Sequence, residues 1–324
     1  MERLFLSVDL GGTSLRIGVL NGAGEVLTLK ALNSDRVRKP QDLVDRLSEE
    51  FLKFSQDPKL PGQAIVGAGL GVPGLVHHQD GTIFQSPHFP QWKNFALRKE
   101  LASRLPFPIY LENDANKAAL GEAWFGAGKK LNDFVMLTLG TGIGAGIIVD
   151  RKVFHGSQGF AGEIGHIVIE WEGLPGALGI KGTLETFASM SGLRLHIQAI
   201  QNVFKDDEEK DLICEIDLED PHFPEVLAKM AQEGNVLAIG LWKQFGKALA
   251  CGVASLANTL GIFNFVIGGG LIGAWDLFYP AYEKEIPQRI YESIAPLIKL
   301  IKAELGNDAG LVGAVPMIQE GQSN

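Results

Sequence analysis

The sequence predicts an α/β protein of two domains, and three observations carry that expectation. Strand-like and helix-like runs alternate along a chain of 324 residues, which is long for a single domain. Its 40 glycines cluster at the ends of apolar runs. Two of those clusters repeat one pattern in different halves of the chain: an apolar run, a Gly/Thr turn and a second apolar run.

The first such unit spans residues 4–20, where an apolar run ends at Asp9, turns through Gly11 and Gly12 beside Thr13, and resumes over residues 15–19. A helix is expected over 41–53, a strand over 63–70, a strand over 109–111 and a helix over 115–125. The second unit spans 134–149, turning through Gly140, Thr141 and Gly142. Helices are then expected over 183–200, 224–232 and 236–260, a strand over 263–267 and a helix over 280–294. The acidic run 206–210 reads as a solvated loop.

Composition removes several classes. Hydrophobic residues make up 46% of the chain, enough for a large core, and the net charge of -9 disfavours a phosphate-backbone surface, so no nucleic-acid partner is expected. Two cysteines, Cys214 and Cys251, fit a reducing compartment and exclude a disulfide framework. The start, MERLFLSVDL, lacks the basic and long apolar regions of a signal peptide. Residues 248–275 hold no charge, but Ser255, Asn258, Thr259, Asn264 and several glycines interrupt them. A buried helix feeding a buried strand accounts for that stretch, so a soluble, cytoplasmic protein without a membrane partner is expected.

The glycine turns carry the first chemical reading. A phosphate needs several donors at close range, and backbone N–H groups supply them where no Cβ blocks approach. Thr13 and Thr141 add hydroxyls at the same turns. A dinucleotide fingerprint would join a strand to a helix, whereas Gly140–Gly146 leads into the strand-like Ile147, Ile148 and Val149. No Gly-Lys-Ser/Thr sequence is present either. A third cluster, Gly268, Gly269 and Gly270, follows an apolar strand and suits a planar group such as adenine or ribose.

Acid–base candidates come next. Asn113 and Asp114 stand between a strand and a helical run, where either residue would also serve as a helix N-cap. A kinase acting on an alcohol needs a carboxylate in reach of the hydroxyl, and Asp114 fits that position. Glu163 and His166, three residues apart, offer acceptors and a donor for sugar hydroxyls. His77 and His78 read as loop residues.

These segments resemble the ROK group of sugar kinases, open reading frames and transcriptional repressors. The matching stretches are DLGGTSLRIGV (9–19), GLGVPGLV (69–76), SPHFPQW (86–92), ENDANKAALGE (112–122), LGTGIGAGIIV (139–149), GEIGHIVI (162–169), GTLET (182–186) and VIGGG (266–270), in family order. The resemblance implies a two-domain actin-like (ribonuclease H-like) ATPase fold with an interdomain cleft. It places a small domain at 1–113, completed by a C-terminal helix over about 311–324, and a large domain at 114–310. It implies ATP-dependent phosphorylation of the primary hydroxyl of a hexose, glucose first, with an N-acetylglucosamine or N-acetylmannosamine kinase as the alternative. Asp114 is then the catalytic base, and Gly74, Asn113, Asp114, Glu163, His166 and Glu185 bind the sugar. Gly11, Gly12, Thr13, Thr141 and Gly142 contact phosphate, Gly268–Gly270 contact adenosine, and Asp9 positions Mg2+ through water. A homodimer is the family's usual state.

Departures from the family pattern shape two further expectations. Many members hold zinc with a histidine and a cysteine cluster; here Gly176, Leu178 and Thr183 occupy the cysteine positions, and His166 stands alone. No zinc site is expected, and the loop between His166 and Glu185 should be anchored by Leu174 and Leu178. His88 stands where many members carry asparagine. The repressors of the family carry a winged helix-turn-helix ahead of the first glycine turn, and this chain reaches Asp9 too early for one. A sugar-responsive regulator or a catalytically silent sugar-binding protein is the competing reading.

Overall fold

The computed structural model describes residues 3–55, 64–203 and 212–322. The chain forms two compact units, Met1–Met136 with Gly146–Gly162 and Ala303–Asn324, and Leu137–Ala145 with Glu163–Lys302. The acidic run 206–210 and residue 63 lie outside the described residues.

The chain begins with β1 (Arg3–Leu10), β2 (Ser14–Leu20), β3 (Val26–Asn33), α1 (Pro40–Ser55) and β4 (Ala64–Val72). A small three-stranded sheet, β5 (Leu75–His77), β6 (Thr82–Gln85) and β7 (Lys93–Phe95), precedes α2 (Leu97–Ala102), β8 (Ile109–Asn113) and α3 (Asp114–Phe125). The main sheet of this unit runs β3-β2-β1-β4-β8. β1 pairs antiparallel with β2 and parallel with β4, which pairs parallel with β8. Leu4, Phe5, Leu6, Val8 and Leu10 are all buried, so β1 is covered on both faces and reads as an unbroken apolar run. The edge strand β3 alternates between partly buried and exposed residues. Its sequence, VLTLKALN, spreads its apolar residues over both faces, with Leu27 and Leu29 exposed, so no apolar–polar alternation announces a strand.

β9 (Phe134–Leu139), β10 (Ile143–Val149) and β11 (Lys152–Val153) follow, then α4 (Glu185–Ala188), α5 (Met190–Val203), α6 (Phe223–Gln232), α7 (Val236–Leu260), β12 (Asn264–Gly268), α8 (Trp275–Glu285) and β13 (Lys299–Lys302). The second large sheet runs β11-β10-β9-β12-β13, with β12 and β13 parallel. α7 is, among the described residues, the one helix long and apolar enough to cross a membrane. Trp242, Phe245, Leu249 and Val253 are buried, and Phe245 meets Phe278 of α8 with ring centroids 5.1 Å apart, so it is a core helix. Finally α9 (Ala309–Val312) and α10 (Ala314–Gly321) return to the first unit, where Val312, Val315 and Ile318 bury against Phe5 and Leu20.

Two expected helices change shape. The helix expected over 183–200 breaks at Ser189, whose extended backbone separates α4 from α5 and whose hydroxyl accepts from Gly192 N at 3.0 Å. A side chain suited to capping starts a new helix there. The helix expected over 280–294 instead begins at Trp275, carries Pro280 inside it and ends at Glu285. Pro287 lacks the N–H that continuation needs, and only a short 3-10 turn, Ile286–Gln288, follows. Leu174 and Leu178 do not anchor the loop before Glu185, because they are 41% and 49% exposed. Backbone pairing holds that loop: bridges join Val168 to Thr183 and Pro175 to Lys181, and Leu184 N donates to Ile167 O at 2.8 Å.

Candidate active site

Within the first unit, sheet register gathers the acidic candidates at one edge. Asp9 of β1 lies beside Gly71 of β4, and Gly71 lies beside Glu112 of β8. These are the carboxyl ends of three parallel strands, where α/β sheets receive their ligands. One step further, β8 ends at Asn113 and α3 begins at Asp114.

The junction is tightly built. The Asn113 side-chain oxygen accepts from Ala115 N at 2.9 Å and Asn116 N at 3.2 Å, so Asn113 is the N-cap of α3. Its amide nitrogen donates to Gly74 O at 3.1 Å, tying the loop after β4 to the helix start. Asp114 Oδ1 accepts from Ala115 N at 2.9 Å, and the residue is half-buried. Glu112 is buried, accepts from Asn113 N and Asn116 Nδ2, each at 2.9 Å, and meets His155 Nε2 at 2.6 Å. His155 in turn stacks on His78, centroids 4.1 Å apart. His78 is in the turn after β5, as expected of a loop residue, but half-buried beside the acidic junction, and burial, then the neighbouring His155, pulls its pKa down. Sequence reading missed this Glu112–His155–His78 stack, since partners 43 and 77 positions apart carry no spacing signal.

The first glycine turn stands at the end of β1. Gly11 N donates to Ser14 O at 2.8 Å, and the Ser34 hydroxyl donates to Gly12 O at 2.6 Å. Thr13 is exposed at its tip. A Cβ on Gly12 would meet the His88 ring at 3.0 Å, which puts His88 against the turn. Burial raises the Asp9 pKa, while Lys117 and then Arg16 draw it back and Asp308 adds to the rise. A Cβ at Gly310 would sit 2.7 Å from Asp9 Oδ1, so only a bare backbone leaves that carboxylate its place. Gly310→Ala is therefore expected to displace the Asp9 carboxylate and to cost about 1–3 kcal/mol of stability, read from urea denaturation.

The second unit carries the other candidates. At the turn between β9 and β10, Gly140 N donates to Gly142 O at 3.0 Å, and Thr141 is exposed. Thr141 O accepts from Ser191 N at 3.0 Å and from the Ser191 hydroxyl at 2.7 Å, which seats the turn on the start of α5. Glu185 Oε2 accepts from Ile143 N at 2.9 Å, and a Cβ on Gly142 would fall 2.3 Å from it. Glu185 thus stands against the second glycine turn. Glu163 precedes and His166 ends the 3-10 turn Ile164–His166, with Oε2 and Nε2 3.9 Å apart. The Glu163 side chain keeps 43% of its surface, yet the protein around its carboxylate holds off enough solvent to raise the pKa; His166 opposes that rise and Glu185 adds to it.

At the end of β12, Gly269 adopts φ 90 and lies against the Leu139 backbone, while a Cβ on Gly270 would meet nothing within 4 Å. Gly270 therefore offers the bare, open surface that a planar ligand requires. Among the described residues no cluster of three or more His, Cys, Asp or Glu side chains forms a metal cage. Asp9, a single buried-edge carboxylate beside a glycine turn, suits Mg2+, which takes one or two carboxylates and completes its shell with phosphates and water.

The signature of the ROK family matches residues 5–320. A glucokinase of Thermotoga maritima is 30% identical over 97% of this chain and 97% of its own length. A xylose repressor of Caldicellulosiruptor bescii is 31% identical over 97% of this chain and 77% of its own length. The structure of a ROK family glucokinase from Streptomyces griseus, in complex with glucose and AMPPNP, superposes with a TM-score of 0.78 at 27% identity, covering 98% of this chain and 99% of that one. The fold is the two-domain actin-like α/β ATPase fold. With its glycine turns, its ENDAN junction and its GEIGH turn in family order over nearly its whole length, the chain belongs to the ROK family.

Proposed function

We propose that this chain is an ATP-dependent sugar kinase that phosphorylates the primary hydroxyl of a hexose, glucose first, with Asp114 as general base. The observation that carries the reading is the strand-end register that sets Asp9, Gly71 and Glu112 side by side, with Asp114 heading the next helix. Asp114 takes the proton of the attacking hydroxyl, the sugar oxygen bonds to the terminal phosphorus, and the bond to ADP breaks. Gly11, Gly12, Thr13, Thr141 and Gly142 hold phosphate oxygens through amides and hydroxyls, and Gly268–Gly270 lie against the nucleoside. Asp9 would hold Mg2+, and the ion when bound would neutralise phosphate charge. Glu163, His166 and Glu185, with Gly74 and Asn113, bind sugar hydroxyls. The similar glucokinases support glucose over the N-acetylhexosamines.

A panel of glucose, mannose, fructose, N-acetylglucosamine and N-acetylmannosamine with Mg-ATP, read by coupled ADP release, tests this. Turnover greatest with glucose is expected; turnover confined to an N-acetylhexosamine would replace the substrate. Binding without ADP release would favour a silent sugar sensor, the reading that similarity to a xylose repressor supports. Homodimer formation and a cytoplasmic location complete the proposal, the first measured by sedimentation.

Glu163 adds a pH prediction. Its folded pKa lies above the ordinary glutamate value, so between the two the folded state binds more protons than the unfolded one. Its contribution to stability therefore falls as pH rises through that window. Glu163→Gln is expected to flatten the fall, and to remove the weakening of sugar binding on acidification that loss of a carboxylate acceptor brings. Thermal denaturation and calorimetry between about pH 4 and 7 check both.

A further inference from the structure

Lys117 is fully buried, with 0% of its surface exposed, inside a helix whose neighbouring side chains are also buried. Its ammonium donates to Val8 O at 2.7 Å and to Ser7 Oγ at 3.0 Å, the two residues before Asp9 on β1. Ser7 Oγ passes a hydrogen bond on to Leu311 O at 2.8 Å. The aliphatic stem runs past Gly71: a Cβ there would lie 2.9 Å from Lys117 Cδ and 3.4 Å from Asp114 Cα. Gly71 is the residue that register sets between Asp9 and Glu112, so the lysine passes through the middle of the acidic strand edge. The carboxylates that attract its charge are Asp9 and then Asp114.

A lysine in such a place is costly, because desolvating an ammonium is repaid only by good partners, and an apolar side chain of equal length would fill the space at no such cost. Burial lowers its pKa to about 8, which still leaves it charged at neutral pH. No reaction step derived above consumes a proton from it or delivers one to it. What its position supplies is a fixed charge and a rigid link.

We propose that Lys117 is a positioning residue of the transfer site, whose ammonium ties the carboxylate end of β1 to the helix headed by Asp114 and serves both Asp9 and Asp114 as a shared internal counter-charge. The inference rests on the kinase reading. It assigns to the chain a protein-borne cation between the acid that receives the hydroxyl proton and the acid on the phosphate side. Of the proposed sugar groups, Glu163, His166 and Glu185 lie on other elements, and Asn113, which caps the lysine's own helix, is held by its bonds to Ala115 N, Asn116 N and Gly74 O, so ground-state sugar binding should depend little on the lysine charge.

The test is Lys117→Met, which keeps the stem and removes the charge. The expected result is a folded protein with kcat lowered roughly 10²-fold, the scale of losing one preorganised charged donor. Sugar affinity, measured by calorimetry without nucleotide, should stay within about 3-fold, so the loss falls on the transfer step rather than on binding. A kcat within about 3-fold of the parent, or equal losses in kcat and sugar affinity, would reduce Lys117 to a packing residue. If the methionine variant does not fold, Lys117→Ala is assayed with propylammonium against sodium chloride at equal ionic strength. Activity rising at least about 10-fold with the amine supports the counter-charge, and no difference between the salts overturns it. A parent protein that releases no ADP with any sugar sinks the kinase reading and this inference together; an active parent with an equally active variant sinks the inference alone.

Discussion

Asp114→Asn is expected to lower kcat by about 10²–10⁴-fold, the contribution a positioned general base makes. The substitution keeps the shape of the side chain and its acceptor for Ala115 N, now 2.9 Å from Oδ1, so α3 should begin where it does. Asn113 remains the cap that holds the helix start, which protects the fold from the change. Sugar affinity should therefore move by less than about 1 kcal/mol while turnover collapses. Single-turnover rates with saturating Mg-ATP, set beside calorimetry, separate the two. Unchanged turnover would remove Asp114 from the chemistry and leave the acidic edge a structural feature.

Gly269→Ala is expected to destabilise the second unit by at least about 3 kcal/mol, combining a forbidden backbone conformation with overpacking. Gly269 holds φ 90 and ψ 169, a region that residues with a Cβ all but avoid. An added Cβ would lie 2.3 Å from Leu139 O and 2.6 Å from Leu139 N, and backbone atoms of a central strand cannot move aside cheaply. Gly270→Ala is the control, because no atom stands within 4 Å of its Cβ position. It should cost less than about 1 kcal/mol in urea denaturation yet weaken ATP binding, as a methyl group would hold a planar base off the turn. Equal midpoints for the two variants would contradict this account of Gly269.

Several parts of this architecture were legible because local chemistry writes them directly. The runs around Asp9 and over 134–149 announce strands by burying nearly every side chain, and the glycines between them announce turns. α7 spans Val236–Leu260, the expected range, because Asn235 caps its start and Gly261, with φ 69, ends it. β3 was not legible, since its apolar residues fall on both faces, Leu27 and Leu29 on the exposed one, and no alternation marks it. The break at Ser189 was hidden for a related reason: the same Ser reads as helix interior or as a cap until its hydroxyl is seen to meet Gly192 N.

The candidate site divides along the same line. Asp114, the two Gly/Thr turns and the ENDAN and GEIGH segments stand in the linear order of residues, because each is a short motif whose chemistry needs neighbours in sequence. Lys117 inside β1's hydrogen bonds, Gly310 against Asp9 and His155 on Glu112 came only from the tertiary structure. These pairs are 43 to 301 residues apart. Strand order and helix packing alone bring such residues together, so no periodicity along the chain could record them.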